Sequence, residues 1–264
     1  MKRLFTHGMV AMSAVAMLMA LPLSSASAHD TWIIMQSYAV EKSKAASFTV
    51  ANAHKLVIPN DKPLAADQIE SASILAPDGK ETPCATGGKD LFQSGAALKA
   101  PGSYVAVVKK KGGFSTKTTD GYQRGKNKQE VKDVIECSYS EKYAKAVFAV
   151  GAPGGAAFAK VFGHALEIVP MQDPAGLNKG DELTVKVLAQ GQPVRAIVYG
   201  TYDGFSPEAN TFAYTTSTNK EGIAKIRMIG GGVWVLVVKQ ESAYPDAAVC
   251  DKKTLASTLT FKVK

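Results

Sequence analysis

The side chains best suited to chemistry in this chain are its histidines, His7, His29, His54 and His164. His7 lies in a leader. Lys2 and Arg3 open the chain, an apolar run covers Met9 to Leu23, and Ala26-Ser27-Ala28 has the small-x-small form that signal peptidase accepts. This pattern predicts a Sec-type signal peptide over residues 1–28, and with it a periplasmic protein. Cleavage after Ala28 makes His29 the first residue. A terminal histidine chelates, because its free α-amine and its ring Nδ1 bind one ion together. The amine titrates near ~7.7–8.0, so a metal displaces its proton at modest cost at neutral pH. Amine and imidazole nitrogens suit nickel, cobalt, copper and zinc. Asp30 adjoins that amine. Trp32 either shields the terminus or belongs to the core.

His54 stands in "VANAHKLVIP", just after an apolar strand pattern. His164 opens "GHALEIVP", where strand spacing puts it in register with Leu166 and Ile168 and points it inward or into a seam between domains. The expected metal ligands are His29, His54, His164 and Asp30. No catalytic motif competes with them. The chain has no nucleophile elbow, no HExxH and no Gly-rich phosphate loop, and "GGG" at 230–232 precedes a strand pattern. The expectation is a binding protein and not an enzyme.

These residues must be positioned by β-structure. Short alternating apolar runs recur along the chain, among them "SFTVANA", "SASILA", "SYVAVVKK", "ELTVKVLA", "IAKIRMI", "VWVLVVKQ" and "STLTFKVK". Turn signals separate them, such as "PDGK" at 77–80 and "NKEG" at 219–222. "SEKYAKAVFAV" is the one stretch that could hold a turn or two of helix. The fold class expected is all-β: an N-terminal β-sandwich over 29–150, a linker over 151–163, and a C-terminal transthyretin-like or immunoglobulin-like sandwich over 164–264. A weak repeat supports the division, with Tyr104 in "PGSYVAVVKK" and Trp234 in "GGGVWVLVVKQ" at matching places.

The formal charge is +8, with much of the excess between Lys109 and Lys132. That stretch reads as a solvated basic loop, and export argues against nucleic acid as a partner. No segment after the leader approaches the ~20 apolar residues of a transmembrane helix. Cys84, Cys137 and Cys250 permit one disulfide, and Cys84 with Cys137 is the pairing expected from their common place in the N-terminal half.

The start "AHDTW", the central "GHALEIVPMQDPAGLNKGDELTVKVLAQGQPV" and the late "GIAKIRMIGGGVW" together resemble a family of periplasmic proteins linked to cobalt and nickel uptake, long catalogued as a domain of unknown function. The resemblance covers most of the chain after the leader. His29 and Asp30 match the family's mature start; Gly163, His164, Glu167 and Pro170 match its central segment, and His54 matches more loosely. It implies a nickel or cobalt carrier that hands its ion to an inner-membrane importer. Two rivals follow from the residues themselves. A terminal histidine with a second imidazole is also a copper brace, as in copper chaperones and polysaccharide monooxygenases. Paired sandwiches also serve as surface interaction modules that bind no metal.

Overall fold

The computed structural model describes residues 29–56, 58 and 63–264. Residues 1–28, expected to be a signal peptide, lie outside the described residues. The chain's regular structure is strand, apart from four short 3-10 turns among the described residues. Its N-terminal half supplies β1 (Asp30–Met35), β2 (Ala39–Val40), β3 (Ser47–Ala53), β4 (Ile69–Leu75), β5 (Glu81–Thr86), β6 (Leu91–Ser94), β7 (Gly102–Thr118), β8 (Gly121–Arg124) and β9 (Val134–Val150). Its C-terminal half supplies β10 (Leu166–Pro170), β11 (Glu182–Ala189), β12 (Gln192–Pro193), β13 (Ile197–Tyr202), β14 (Tyr214–Ser217), β15 (Ile223–Arg227), β16 (Gly232–Ala243) and β17 (Lys252–Val263).

A large sheet follows the order β1-β3-β6-β5-β4-β7-β9-β17-β16-β13-β14, and β10, β11, β12 and β15 form a smaller one. The parallel pairing of β9 with β17 carries the large sheet from one half of the chain into the other. Residues 151–163, expected as a linker, contain a short 3-10 turn, Ala157–Ala159, and pack Ala157, Phe158 and Phe162 against the C-terminal core.

Each half buries its own apolar face. Ile33, Phe48 and Val50 from β1 and β3 close over Ile74, Tyr104, Ala106, Ala146 and Phe148 from β4, β7 and β9. In the C-terminal half, Leu166, Ile168, Val185 and Ile226 of the small sheet face Val198, Trp234, Leu236, Leu259 and Phe261 of the large one. The repeat seen in the sequence has a structural counterpart. Tyr104 donates its hydroxyl to the Ala100 carbonyl at 2.9 Å, and Trp234 donates Nε1 to the Gly230 carbonyl at 2.8 Å. Each aromatic ring thus ties the start of a long strand to the turn before it. At the "NKEG" turn, Gly222 has φ +75°, and a Cβ there would stand 2.6 Å from the Val187 carbonyl oxygen, so glycine is required.

β1 is buried on both faces. Ile33 and Met35 point into the N-terminal core, while Trp32 and Ile34 pack on Val235 and Val237 of β16. Trp32 is therefore core. Three expectations are corrected. "SEKYAKAVFAV" is strand throughout, because its alternation places Ala144, Ala146 and Phe148 on one buried face. The basic stretch from Lys109 is largely a β7–β8 hairpin and not a loop. The disulfide joins Cys137 to Cys250, with Cα atoms 4.9 Å apart, and Cys84 is free. Sequence proximity misleads here, since β9 and β17 are neighbours in space.

Candidate functional site

β1 and β3 run antiparallel with Asp30 opposite Ala53. Continued by one residue, that register sets His29 opposite His54. Their rings meet accordingly, with centroids 3.9 Å apart and planes 33° from parallel. Burial lowers the His29 pKa, and the nearby His54, Lys142 and Arg124 add to the effect. Both effects favour the neutral ring, the form that ligates a metal.

The surroundings are cationic. Asp30 is buried and pairs with Lys239 of β16 at 2.8 Å. Burial raises the Asp30 pKa against the opposing pull of Lys239. Lys142 of β9, also buried, donates to the His29 carbonyl and, at 3.3 Å, to Asn52 Oδ1. Its pKa is pushed down to about 8, first by burial and then by Lys110, with Asp30 opposing. Asn52 also accepts from the Thr31 hydroxyl at 2.8 Å. The turn that carries His54 is held by residues 203–213 of the C-terminal half. Asn210 N donates to the His54 carbonyl at 2.9 Å, and Lys55 Nζ donates to the Pro207 carbonyl at 3.1 Å. Behind it lies a cavity of about 20 Å³ lined by Asp30, Trp32, His54, Thr201 and Asn210 among others. Among the described residues the buried Trp32 Nε1 has no hydrogen-bond partner.

His164 does not join this group. Its ring stacks on Tyr143, centroids 4.5 Å apart. Tyr143 and Lys142 are consecutive in β9, so they point to opposite faces of the sheet. Lys142 contacts His29 on one face, and Tyr143 holds His164 on the other. The expected meeting of three histidines is corrected to a pair. Among the described residues no three His, Cys, Asp or Glu side chains gather as a metal cluster, and Asp30 is committed to Lys239.

The His164 side has a closed ionic core. Glu167 accepts from Lys145 Nζ at 2.9 Å and from the backbone N–H groups of Phe162 and Gly163 at 2.9 and 3.2 Å. Both charged side chains are almost wholly buried. His164 is driven down to about 4, chiefly by burial, with Glu167 opposing. It borders an open groove of about 930 Å³ over Ser71, Ser73, Lys109 and Tyr143. Glu167, matched in the sequence only as part of a segment, emerges as the anchor of the 162–164 bend.

Sequence reasoning missed Asn52, Lys142 and Lys239. A signal for Lys142 was present, since it stands in register with Ala144, Ala146 and Phe148. A lysine on an apolar face needs an explanation.

A family model described as a domain of unknown function matches residues 26–242. No curated protein matches the chain. Among solved structures, murine CEACAM1b aligns at 11% identity over 89% of this chain and 99% of that chain, with TM-score 0.21. The D0-D1 domain of Intimin aligns at 15% identity over 89% and 98%, with TM-score 0.21. Fibronectin(III)-like modules of Clostridium thermocellum CbhA align at 10% identity over 88% and 94%, with TM-score 0.20.

Proposed function

The chain belongs to the DUF4198 family, a domain of unknown function, and on that footing we propose that it is a periplasmic carrier of a divalent transition-metal ion. The ion is held by the His29 amine and Nδ1 with the His54 ring, and is passed to an inner-membrane importer. The observation that carries this reading is the His29–His54 ring contact at 3.9 Å. Cleavage after Ala28 creates the amine, so export and assembly of the ligand set are one event. Nitrogen ligands without thiolates release an ion more readily than a closed cysteine cage, which suits a carrier.

Nickel and cobalt follow from the family resemblance. A second reading, copper, is favoured by the placement of His164 on the other face. What remains is an amine and two imidazoles, the set of a histidine brace, and copper(II) heads the affinity order for such nitrogen sites. Calorimetry separates the readings. Protein that starts at His29 is titrated with nickel, cobalt and copper, alongside a variant carrying one added alanine before His29. The expected result is a loss of at least about tenfold in affinity on extension, since the amine becomes a peptide nitrogen. Equal binding by both proteins contradicts the terminal chelate. Micromolar or tighter binding of copper alone selects the brace.

A further inference from the structure

The charge around the His29–His54 pair is the wrong sign for a bare cation. Lys110 lies directly opposite Lys142 in the β7–β9 register. Like charges so placed repel unless something compensates them. Arg124 of β8 pairs opposite Ser115 of β7, the strand that carries Lys110, and its charge reaches His29, Lys110 and Lys142. Lys239 completes the group and is the one cation among them in an ion pair, with Asp30, whose single carboxylate also attracts Lys142. Among the described residues Lys110, Arg124 and Lys142 form no ion pair. The hydrogen bonds of Lys142 go to a carbonyl and an amide oxygen, and that of Lys110 to the Lys111 carbonyl at 3.4 Å. One carboxylate thus stands among four cations, and a buried lysine without a direct ion pair is costly.

We infer that Lys110, Arg124 and Lys142 form an anion subsite beside His29, and that the protein takes its metal together with a small polycarboxylate co-ligand, as an anionic chelate. The inference rests on the metal reading above but uses different residues. His29 and His54 would bind the ion at its open positions. The three cations would bind the carboxylates that remain on it. Such a subsite also explains how a cationic surface accepts a divalent ion, since the chelate arrives with its charge neutralised or reversed.

Equilibrium dialysis with radiolabelled citrate tests this on protein that starts at His29, with and without nickel or copper. A double variant, Lys110→Gln with Arg124→Gln, is run beside it. Both positions are at the surface or half-buried, so folding is retained, and a thermal melt checks it. Citrate is expected to be retained with the metal. The double variant is expected to lose about tenfold in citrate retention, a size that two screened charges at close range can supply. Its affinity for metal in citrate-free buffer is expected to hold or rise. Metal binding with no retained citrate overturns the inference and leaves the metal reading standing. Retained citrate with no metal bound keeps the anion subsite and sinks the metal reading. An equal loss of citrate and of bare metal in the double variant overturns the inference, because the cations would then be acting on the fold.

Discussion

Strand β9 buries two lysines three positions apart, on opposite faces, and they live in contrasting company. Lys145 meets the Glu167 carboxylate at 2.9 Å, and that carboxylate takes two further backbone N–H groups. Lys142 hydrogen-bonds neutral oxygens and, among the described residues, forms no ion pair, and it stands opposite another lysine. The first arrangement is complete in itself. The two charges answer each other, and the carboxylate's bonds to Phe162 and Gly163 pin the 162–164 bend to the sheet. The second is incomplete, and it adjoins the His29–His54 pair. Buried charge that is fully paired belongs to structure, and buried charge left unpaired points to a ligand.

This contrast can be broken by mutation. Glu167→Gln leaves Lys145 buried without its counter-charge, and is expected to destabilise the protein by about 3–5 kcal/mol in urea unfolding. The next largest effect is a pH dependence on the same face. His164 has a folded pKa of about 4 against an ordinary 6.5, so the unfolded chain binds its proton first. Stability is full above pH 6.5 and falls as pH drops toward 4, by at most about 3 kcal/mol. His164→Phe is expected to flatten that slope when unfolding midpoints are compared between pH 7 and 4. The smallest effect belongs to Lys142. Its replacement by Met removes two hydrogen bonds but also an uncompensated buried charge. Stability in the same urea assay is expected to change by less than about 1 kcal/mol in either direction. A loss as large as that for Glu167→Gln would erase the distinction between the two faces.

Much of the fold could be read from the sequence where strands have one wet face. "SFTVANA" and "ELTVKVLA" alternate cleanly, and β3 and β11 span those residues. β1 was not legible. "DTWIIM" has no period of two because both of its faces are buried, one in each half of the molecule. That same strand fixes the site. Once β1 is known to pair with β3, the register brings His29 to His54. The position of His164 was half legible. Its register with Leu166 pointed inward, but which side of β9 it faced depended on a long-range packing that no local pattern encodes. The disulfide failed for a related reason, because β17 lies beside β9 although 113 residues separate the two cysteines.

The central claim is that His29 and His54 hold the ion and that His164 does not. Calorimetric titration of nickel and copper into His54→Ala and His164→Ala, both starting at His29, tests it most directly. The account predicts a loss of at least about 100-fold in affinity for His54→Ala, since losing even an outer partner of a ligand costs about 10–100-fold, and a change within about twofold for His164→Ala. The reverse pattern, or equal losses in both, would contradict it.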